Sequence, residues 1–230
     1  MNTGTSVALS IIIPTLNEAE RIVLLLKSLT EQYTENVEVI VVDGGSTDDT
    51  VQQAEVVADQ VLEVARGRAR QMNAGAAVAR GEVLLFLHAD TEPPPHAVQL
   101  IATGLAISGR CWGRFDVRIS GQARMLPVVA WMMNWRSRLT GIATGDQAIF
   151  VHHAAFNQAG GYPEQPLMED IELCRRLKCV SKPLCLKAKV TTSGRRWERR
   201  GVWNTILLMW SLRLRYWFGA SAAVLARAYR

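Results

Sequence analysis

The chain has 230 residues, 49% of them apolar, which is enough to bury one continuous core, so a single domain over 1–230 is the expectation. No uninterrupted apolar run reaches the roughly 18 to 20 residues of a membrane-crossing helix, and no bilayer span is expected. Cys111, Cys174, Cys179 and Cys185 lack CxxC spacing and residues 1–8 lack the marks of a secretory leader, which disfavours a disulfide framework or zinc module and favours a reducing, cytoplasmic setting.

The formal charge of +5 is gathered at one end. Arg195, Arg196, Arg199, Arg200, Arg213, Arg215, Arg227 and Arg230 stand against the single acid Glu198, and the remainder is slightly acidic. That asymmetry favours an anionic partner, whether phosphate, lipid headgroup or nucleic acid.

Residues 6–13 read as a buried strand stopped by Pro14. Asn17 and Glu20 then form a capping-box pattern ahead of Ile22, Leu25, Leu26 and Leu29 at helical spacing. Residues 37–42 predict a second strand, Asp43-Gly44-Gly45-Ser46 a turn, and 47–58 a helix. A short third strand is expected over 61–64, an alanine-rich helix from 66–70 to Ala79 closed by Gly81, and a fourth strand over 83–87. Alternating strands and helices with nearly continuous apolar strands imply a Rossmann-like parallel sheet covered on both faces. Beyond it come strands at 111–119, 147–152 and 184–190, helices at 125–139 and 168–177, and a long C-terminal helix over 202–227 interrupted near Gly219.

In such a sheet the loops that follow the strands open at one carboxyl edge, where ligands bind. Here those loops carry Pro14-Thr15-Leu16-Asn17, Asp43-Gly44-Gly45-Ser46, Arg66-Gly67-Arg68-Ala69-Arg70 and His88-Ala89-Asp90. A diphosphate ligand explains the mixture, because it needs arginine, a cation or backbone N–H groups, while its nucleoside needs polar loop groups. Turn and cap roles explain any one loop as well, but less readily all four.

The ordered set SIIIPTLNEAERI, VIVVDGGSTDDT, NAGAAVARGEVLLFLHADT and GGYPEQPLMEDIELCRRL resembles glycosyltransferase family 2 over about residues 7–190, and within it the small bacterial branch with HADT and PLMED segments. The resemblance implies an α/β fold of the GT-A type, a mostly parallel sheet flanked by helices with a helical C-terminal tail. It divides the domain into a nucleotide-sugar half (1–108), an acceptor half (109–200) and a tail (201–230). It also implies transfer of a sugar from a nucleotide-diphosphate sugar to an acceptor, by an inverting, metal-dependent route.

On this reading Pro14, Thr15, Asn17, Glu18, Asp43, Gly44, Arg68, Arg70 and Asp90 bind the nucleotide sugar. Asp90 would hold the divalent cation, Mn2+ or Mg2+, with His88 as a further ligand where relatives often have aspartate. Gly44 replaces a second aspartate of many relatives, which leaves the base open. Asp170 is expected as catalytic base, with Glu169 as its alternative, since an inverting transfer needs a carboxylate at the acceptor hydroxyl. Asp146 and Gln147 are expected to hydrogen-bond the acceptor. Ser193-Gly194-Arg195-Arg196-Trp197 partly echoes the QxxRW element of processive relatives, with Arg196 on phosphate and Trp197 on a sugar face.

Trp203, Leu207, Trp210, Leu214, Trp217 and Phe218 fall close to one helical face among arginines, an interfacial pattern. It fits a contact with an anionic membrane at the inner face and a lipid-linked acceptor, but packing on the domain or on a second subunit in a homodimer is somewhat favoured, because most such stripes are core. Three other readings are weaker. A nucleotidyltransferase would carry a glycine-rich loop with lysine after its first strand, a dehydrogenase would carry GxGxxG there, and no nucleic-acid recognition module is present. A sugar-nucleotide-binding protein without catalysis stays open because of the altered His88-Ala89-Asp90 motif.

Overall fold

The computed structural model describes residues 7–33 and 36–229; the expected strand start at Ser6 and the last tail arginine, Arg230, lie outside them. Strands β1 (Leu9–Thr15), β2 (Val37–Asp43), β3 (Gln60–Glu63) and β4 (Val83–Phe86) are parallel, as the alternating pattern predicts, and lie in the order β3-β2-β1-β4. Their side chains divide between two cores. Ile11, Ile13, Leu85 and Leu87 pack with Ile22, Leu25, Leu26 and Leu29 of α1 (Ala19–Gln32), and with Ala97, Ile101 and Leu105 of α4 (Ala97–Ser108). Ile12, Ile40, Val42, Leu84 and Phe86 face the other way, onto Met72 and Ala76 of α3 (Arg68–Val78) and Leu173 and Leu177 of α7 (Glu169–Val180). Burial on both faces is why these strands read as apolar runs rather than alternating ones.

Pro14 does not stop β1. Pairing with β2 runs on through Pro14 and Val42 to Thr15 and Asp43, whereas pairing with β4 ends at Ile12 and Phe86. Ile12 turns its backbone polar groups toward β4, accepting from the N–H of Leu87, so Pro14, two residues on, turns the same way to where β4 has already ended. The missing N–H therefore breaks no bond. Helix α2 is confined to Thr50–Glu55, shorter than the expected 47–58, because residues 47–49 are used in the loop described below.

The other half of the sheet is mixed. β7 (Ile149–His152) runs antiparallel beside β4, β6 (Trp112–Ser120) antiparallel beside β7, β8 (Leu184–Ser193) parallel to β6, and the short β5 (Thr91–Glu92) antiparallel on β8. Through these two reversals, the start of β7 and the ends of β6 and β8 reach the same edge as the end of β4. Helix α5 (Leu126–Thr140) covers β6. Helices α4 and α6 (His153–Gln158) and strand β5 were not anticipated from the sequence.

The tail is interrupted near Gly219, as expected, into α9 (Val202–Trp217) and α10 (Ala222–Tyr229), and a short helix not anticipated, α8 (Arg195–Arg200), precedes them. They are broken at Gly201 and Gly219, with φ of 79° and 89°, a left-handed backbone that glycine adopts without strain. Leu212 of α9 and Leu225 of α10 are buried with Met168, seating the tail at the start of α7. Packing of the aromatic stripe onto the domain is therefore corrected: Trp203, Leu207, Trp210, Leu214 and Trp217 are all more than half exposed, because α9 turns its opposite face inward.

At the amino edge, far from the loops, Glu38 is buried and charged. It accepts from Ser10 Oγ at 2.6 Å and from Arg80 Nε at 2.8 Å, while Gly81 N donates to Ser10 Oγ at 2.8 Å. Burial pushes the Glu38 carboxyl up, but the hydrogen bonds of Ser10 and Arg80 and the Arg80 charge outweigh it and hold it below the usual 4.5. A carboxyl depressed in the folded state stabilises above its unfolded value and loses that contribution as pH falls through the folded one. Glu38→Gln should cost about 2 kcal/mol in urea unfolding at pH 7, and the gap to the parent protein should narrow as the titration is carried into the acidic range.

Candidate active site

The first two carboxyl-edge loops are built into each other. Asn17 N donates to Ser46 Oγ at 2.8 Å, Thr47 N donates to Asn17 Oδ1 at 2.8 Å, and Glu18 N donates to Thr50 Oγ1 at 2.9 Å. Ala19 N donates to Asp48 Oδ2 at 3.3 Å. Asn17, at φ 54°, is thus not the cap of α1; Asp48 and Thr50 of the neighbouring loop serve its first N–H groups instead.

Asp43 is fully buried, and its carboxylate accepts from Gly45 N at 2.8 Å, Ser46 N at 2.7 Å, Thr15 Oγ1 at 3.2 Å and Ser46 Oγ. Asp43 and Thr15 therefore shape the turn from beneath, and neither side chain is free to reach a nucleotide. Gln71 of α3 supports the same turn, donating to Thr15 O and Val42 O, both at 2.8 Å. A Cβ on Gly44 would stand 3.1 Å from that amide, so glycine keeps the approach open. Gln71 was missed; its signal is a glutamine on the buried face of an alanine-rich helix.

At the end of β4, Asp90 lies 3.5 Å from Arg195 Nη2 and 3.8 Å from Arg21 Nη1, and Glu18 lies 3.4 Å and 3.7 Å from the same two guanidiniums. Burial raises the Glu18 carboxyl, opposed by Arg21 and reinforced by the charges of Asp90 and Asp48. Arg21 Nη1 is buried with no hydrogen-bond acceptor. Sequence reading missed Arg21, which looks like a plain helix cation, and named Arg196 where Arg195 makes this contact. The backbone ties these groups together: Ser193 N donates to Asp90 O at 3.2 Å, and Thr91 Oγ1 donates to Thr192 Oγ1 at 2.9 Å.

Across the cleft, His88 Nδ1 lies 3.4 Å from Asp146 Oδ1, and its Nε2 is buried without a partner. A Cβ on Gly145 would come within 2.4 Å of that Nε2, so the imidazole is held between Asp146 and the backbone at Gly145. Burial opposes the charged form of Asp146, yet the hydrogen bond and charge of His88, then Arg68, hold its carboxyl below the usual range. Gly145 N donates to Asp170 Oδ2 at 3.1 Å, which links this unit to the start of α7. Glu169 is buried 3.7 Å from Arg68 Nη1; burial and the Asp170 charge raise its carboxyl against the pull of Arg68. The Arg196 guanidinium lies 3.6 Å above the Tyr229 ring, which brings α10 to the same rim.

Three expected contacts lie elsewhere. Gln147 belongs to a 3-10 turn rather than to β7 and is fully buried, donating to Ser137 Oγ at 3.1 Å and Asn134 Oδ1 at 3.4 Å; it ties the turn to α5 and does not face an acceptor. Trp197 packs on the main core beside Val202, away from the side where Arg196 meets Tyr229. Arg70 pairs with exposed Glu164 at 3.3 Å.

No three His, Cys, Asp or Glu side chains gather in metal-ligating geometry among the described residues. His88 pairs with Asp146 while Asp90 pairs with arginines, so the two expected ligands are engaged separately. What the chain offers is one half-buried carboxylate beside an unsatisfied guanidinium nitrogen. That fits a hard cation completed by phosphate oxygens and water, not a closed protein cage.

A parallel sheet with a charged cleft at its carboxyl edge, extended by a mixed half-sheet, defines an α/β fold of the GT-A type. Residues 10–160 match the model of Glycosyl transferase family 2, and the chain belongs to that family. A PGL/p-HBAD biosynthesis glycosyltransferase of Mycobacterium tuberculosis is 41% identical over 88 residues, 35% of this chain and 34% of that protein. An uncharacterized glycosyltransferase of the same species is 29% identical over 226 residues, 91% of this chain and 86% of its own length. The chain spans about a third of the first curated relatives it matches, 31% for one from Nostoc and 34% for the mycobacterial one.

Among solved structures, S. aureus TarS in complex with UDP superposes with a TM-score of 0.66 at 21% identity, covering 81% of this chain and 60% of that one. A mannosyltransferase from Pyrobaculum calidifontis, in complex with GDP-Man and Mn2+, gives 0.59 at 24%, covering 80% and 56%.

The packing of Gly145 against His88 sets a test. Gly145→Ala should lower donor turnover about tenfold or more by displacing His88 from Asp146, and His88→Ala should absorb that effect, the double variant turning over no more slowly than His88→Ala alone. Additive losses in steady-state kinetics would disprove the coupling.

Proposed function

We propose that the protein is an inverting glycosyltransferase that takes a sugar from a nucleotide-diphosphate donor and passes it to an acceptor hydroxyl. The observation that carries this reading is the convergence, at one sheet edge, of two charge groups with different chemistry. One is the Glu18, Arg21, Asp90 and Arg195 quartet, suited to a diphosphate; the other is Asp170, with a carboxylate oxygen fixed by Gly145 N, suited to receive a proton. The donor-bound relatives of the same fold support the choice of ligand class.

The nucleoside lies over the turn shaped by Asp43 and Thr15, beside Pro14, Gly44 and Arg68. A divalent cation held by Asp90 would supply charge neutralisation for the leaving diphosphate. Arg21 and Arg195 orient the phosphates from the other side, Arg21 donating from the Nη1 that the chain leaves without an acceptor. Asp170 takes the proton of the acceptor hydroxyl as its oxygen attacks the anomeric carbon from the face opposite the diphosphate. Glu169, neutral more readily than an ordinary carboxyl, holds Arg68 rather than acting as base.

Asp170→Asn should lower kcat about 100-fold or more with UDP affinity unchanged, since a positioned base contributes about 100- to 10,000-fold. Diphosphate release should require Mn2+ or Mg2+. Near-normal turnover of that variant would remove Asp170 from the chemistry, and donor binding without release by the parent protein would make it a binding protein.

The exposed aromatic stripe of α9 is the membrane contact in this reading. Trp203, Trp210 and Trp217 lie on one face of a helix that also carries exposed Arg215 and follows exposed Arg199 and Arg200, a composition complementary to anionic headgroups. The protein then works at the inner membrane face, near a lipid-linked acceptor. It should sediment with phosphatidylglycerol-containing vesicles at low salt, and Trp210→Ser with Trp217→Ser should abolish this. A dimer dissolved by the same substitutions, with no vesicle binding by the parent, would assign the face to a second copy instead.

A further inference from the structure

Two arginines that feel the charge of Asp170 have no ion-pair partner among the described residues. Nε and Nη2 of Arg136, on α5, are buried and meet no hydrogen-bond acceptor. Among the described residues no carboxylate lies within ion-pair distance of Arg136 or of Arg213 on α9. Asp170, the nearest acid both of them feel, already has its oxygens engaged, Oδ2 by Gly145 N and Oδ1 by Ile171 N at 2.8 Å.

Burial first, and then repulsion from Arg213, bring Arg136 down to about 10 against the pull of Asp170; burial likewise lowers Arg213 against Asp170 and Asp146. Two part-buried guanidiniums that repel each other are costly unless something negative joins them. The donor diphosphate does not answer to this pair. Its suited partners, Arg21 and Arg195, surround Asp90, whereas α9, which carries Arg213, packs on the start of α7, and Arg136 feels the charges of Asp170 and Arg213 there.

We infer that Arg136 and Arg213 form the seat of an oxyanion, a phosphate or carboxylate carried by the acceptor, so that the acceptor is an anionic alcohol rather than a neutral sugar. The inference rests on the transfer reading, which makes Asp170 the acceptor-side base. Planar guanidiniums on two different helices can grip one oxyanion from two directions, which fixes the acceptor's orientation as well as its charge. The anion belongs either to a soluble phosphorylated acceptor or to a lipid headgroup, and the chemistry of the seat is the same for both.

The test uses the full chain in EDTA at fixed ionic strength, with glycerol 3-phosphate against glycerol as soluble probes and phosphatidylglycerol against phosphatidylcholine vesicles as the lipid arm. Glycerol 3-phosphate should bind and glycerol should not, with Arg136→Met and Arg213→Met each weakening it about tenfold or more, as loss of a charge-assisted bond does. A loss confined to the vesicle arm would support the seat and assign it to a headgroup. Arg136→Met should also melt at or above the parent temperature, because it removes an unpaired buried charge; a purely structural arginine would lower it. Binding by both variants equal to the parent's in the soluble arm and in the vesicle arm alike, or competition of glycerol 3-phosphate with UDP, would overturn the inference. UDP binding measured separately with Mn2+ present distinguishes the two claims: its absence in the parent sinks the transfer reading, while its retention with no arginine-dependent binding in either arm sinks the anion seat alone.

Discussion

The buried carboxylate of Asp43 is the interaction on which the cleft depends. A charge with no exposure survives only if its oxygens are fully engaged, and here two backbone N–H groups and two hydroxyls engage them. That requirement folds Gly45 and Ser46 back over the end of β2. Ser46 in turn receives Asn17 N, and Asn17 receives Thr47 N, so the first two loops of the sheet are set by one acid below them. The surface above is therefore preorganised: little of the binding energy of a nucleotide need be spent on ordering it.

Charge in the cleft is arranged in two compartments with different degrees of completion. On the Asp90 side, two acids and two arginines balance, and the unsatisfied Arg21 nitrogen marks where a further acceptor atom fits. On the Asp170 side, acids and bases are paired one to one only as far as Arg68 with Glu169 and His88 with Asp146. Arg136 and Arg213 are left over. A protein that keeps such groups out of water loses stability in its empty state, and recovers it when ligand arrives.

The parallel half of the fold was legible because β1, β2 and β4 are covered on both faces, so that apolar runs and intervening helical periods survive in the sequence. The mixed half was less so: α4 and α6 escaped notice, and strand direction in β6 to β8 has no local signature. At the site, the ordered motifs named loops that the structure brings together, and Asp90, Asp170, Glu169 and Asp146 all reach one edge. Roles were harder to read than places. Asp43, Thr15 and Gln147 are polar residues in functional-looking loops, yet their side chains turn inward to satisfy the backbone or one another, and direction within a loop is not encoded in spacing. Arg21, Gln71 and Arg136 were overlooked for the opposite reason, since helical periodicity describes them as ordinary surface or packing positions until helices distant in the chain are brought beside them.

Asp90 and Arg195 are separated by more than a hundred residues, yet both ride on the narrow ribbon where the end of β8 meets β5, locked by the Ser193–Asp90 backbone bond and the Thr91–Thr192 hydroxyl pair. Main-chain movement cannot open a gap between them without tearing that ribbon. Room for an incoming leaving group has to come from torsion about the arginine's own side-chain bonds. Entry on this flank is then a matter of rotamer exchange, fast on the scale of loop opening.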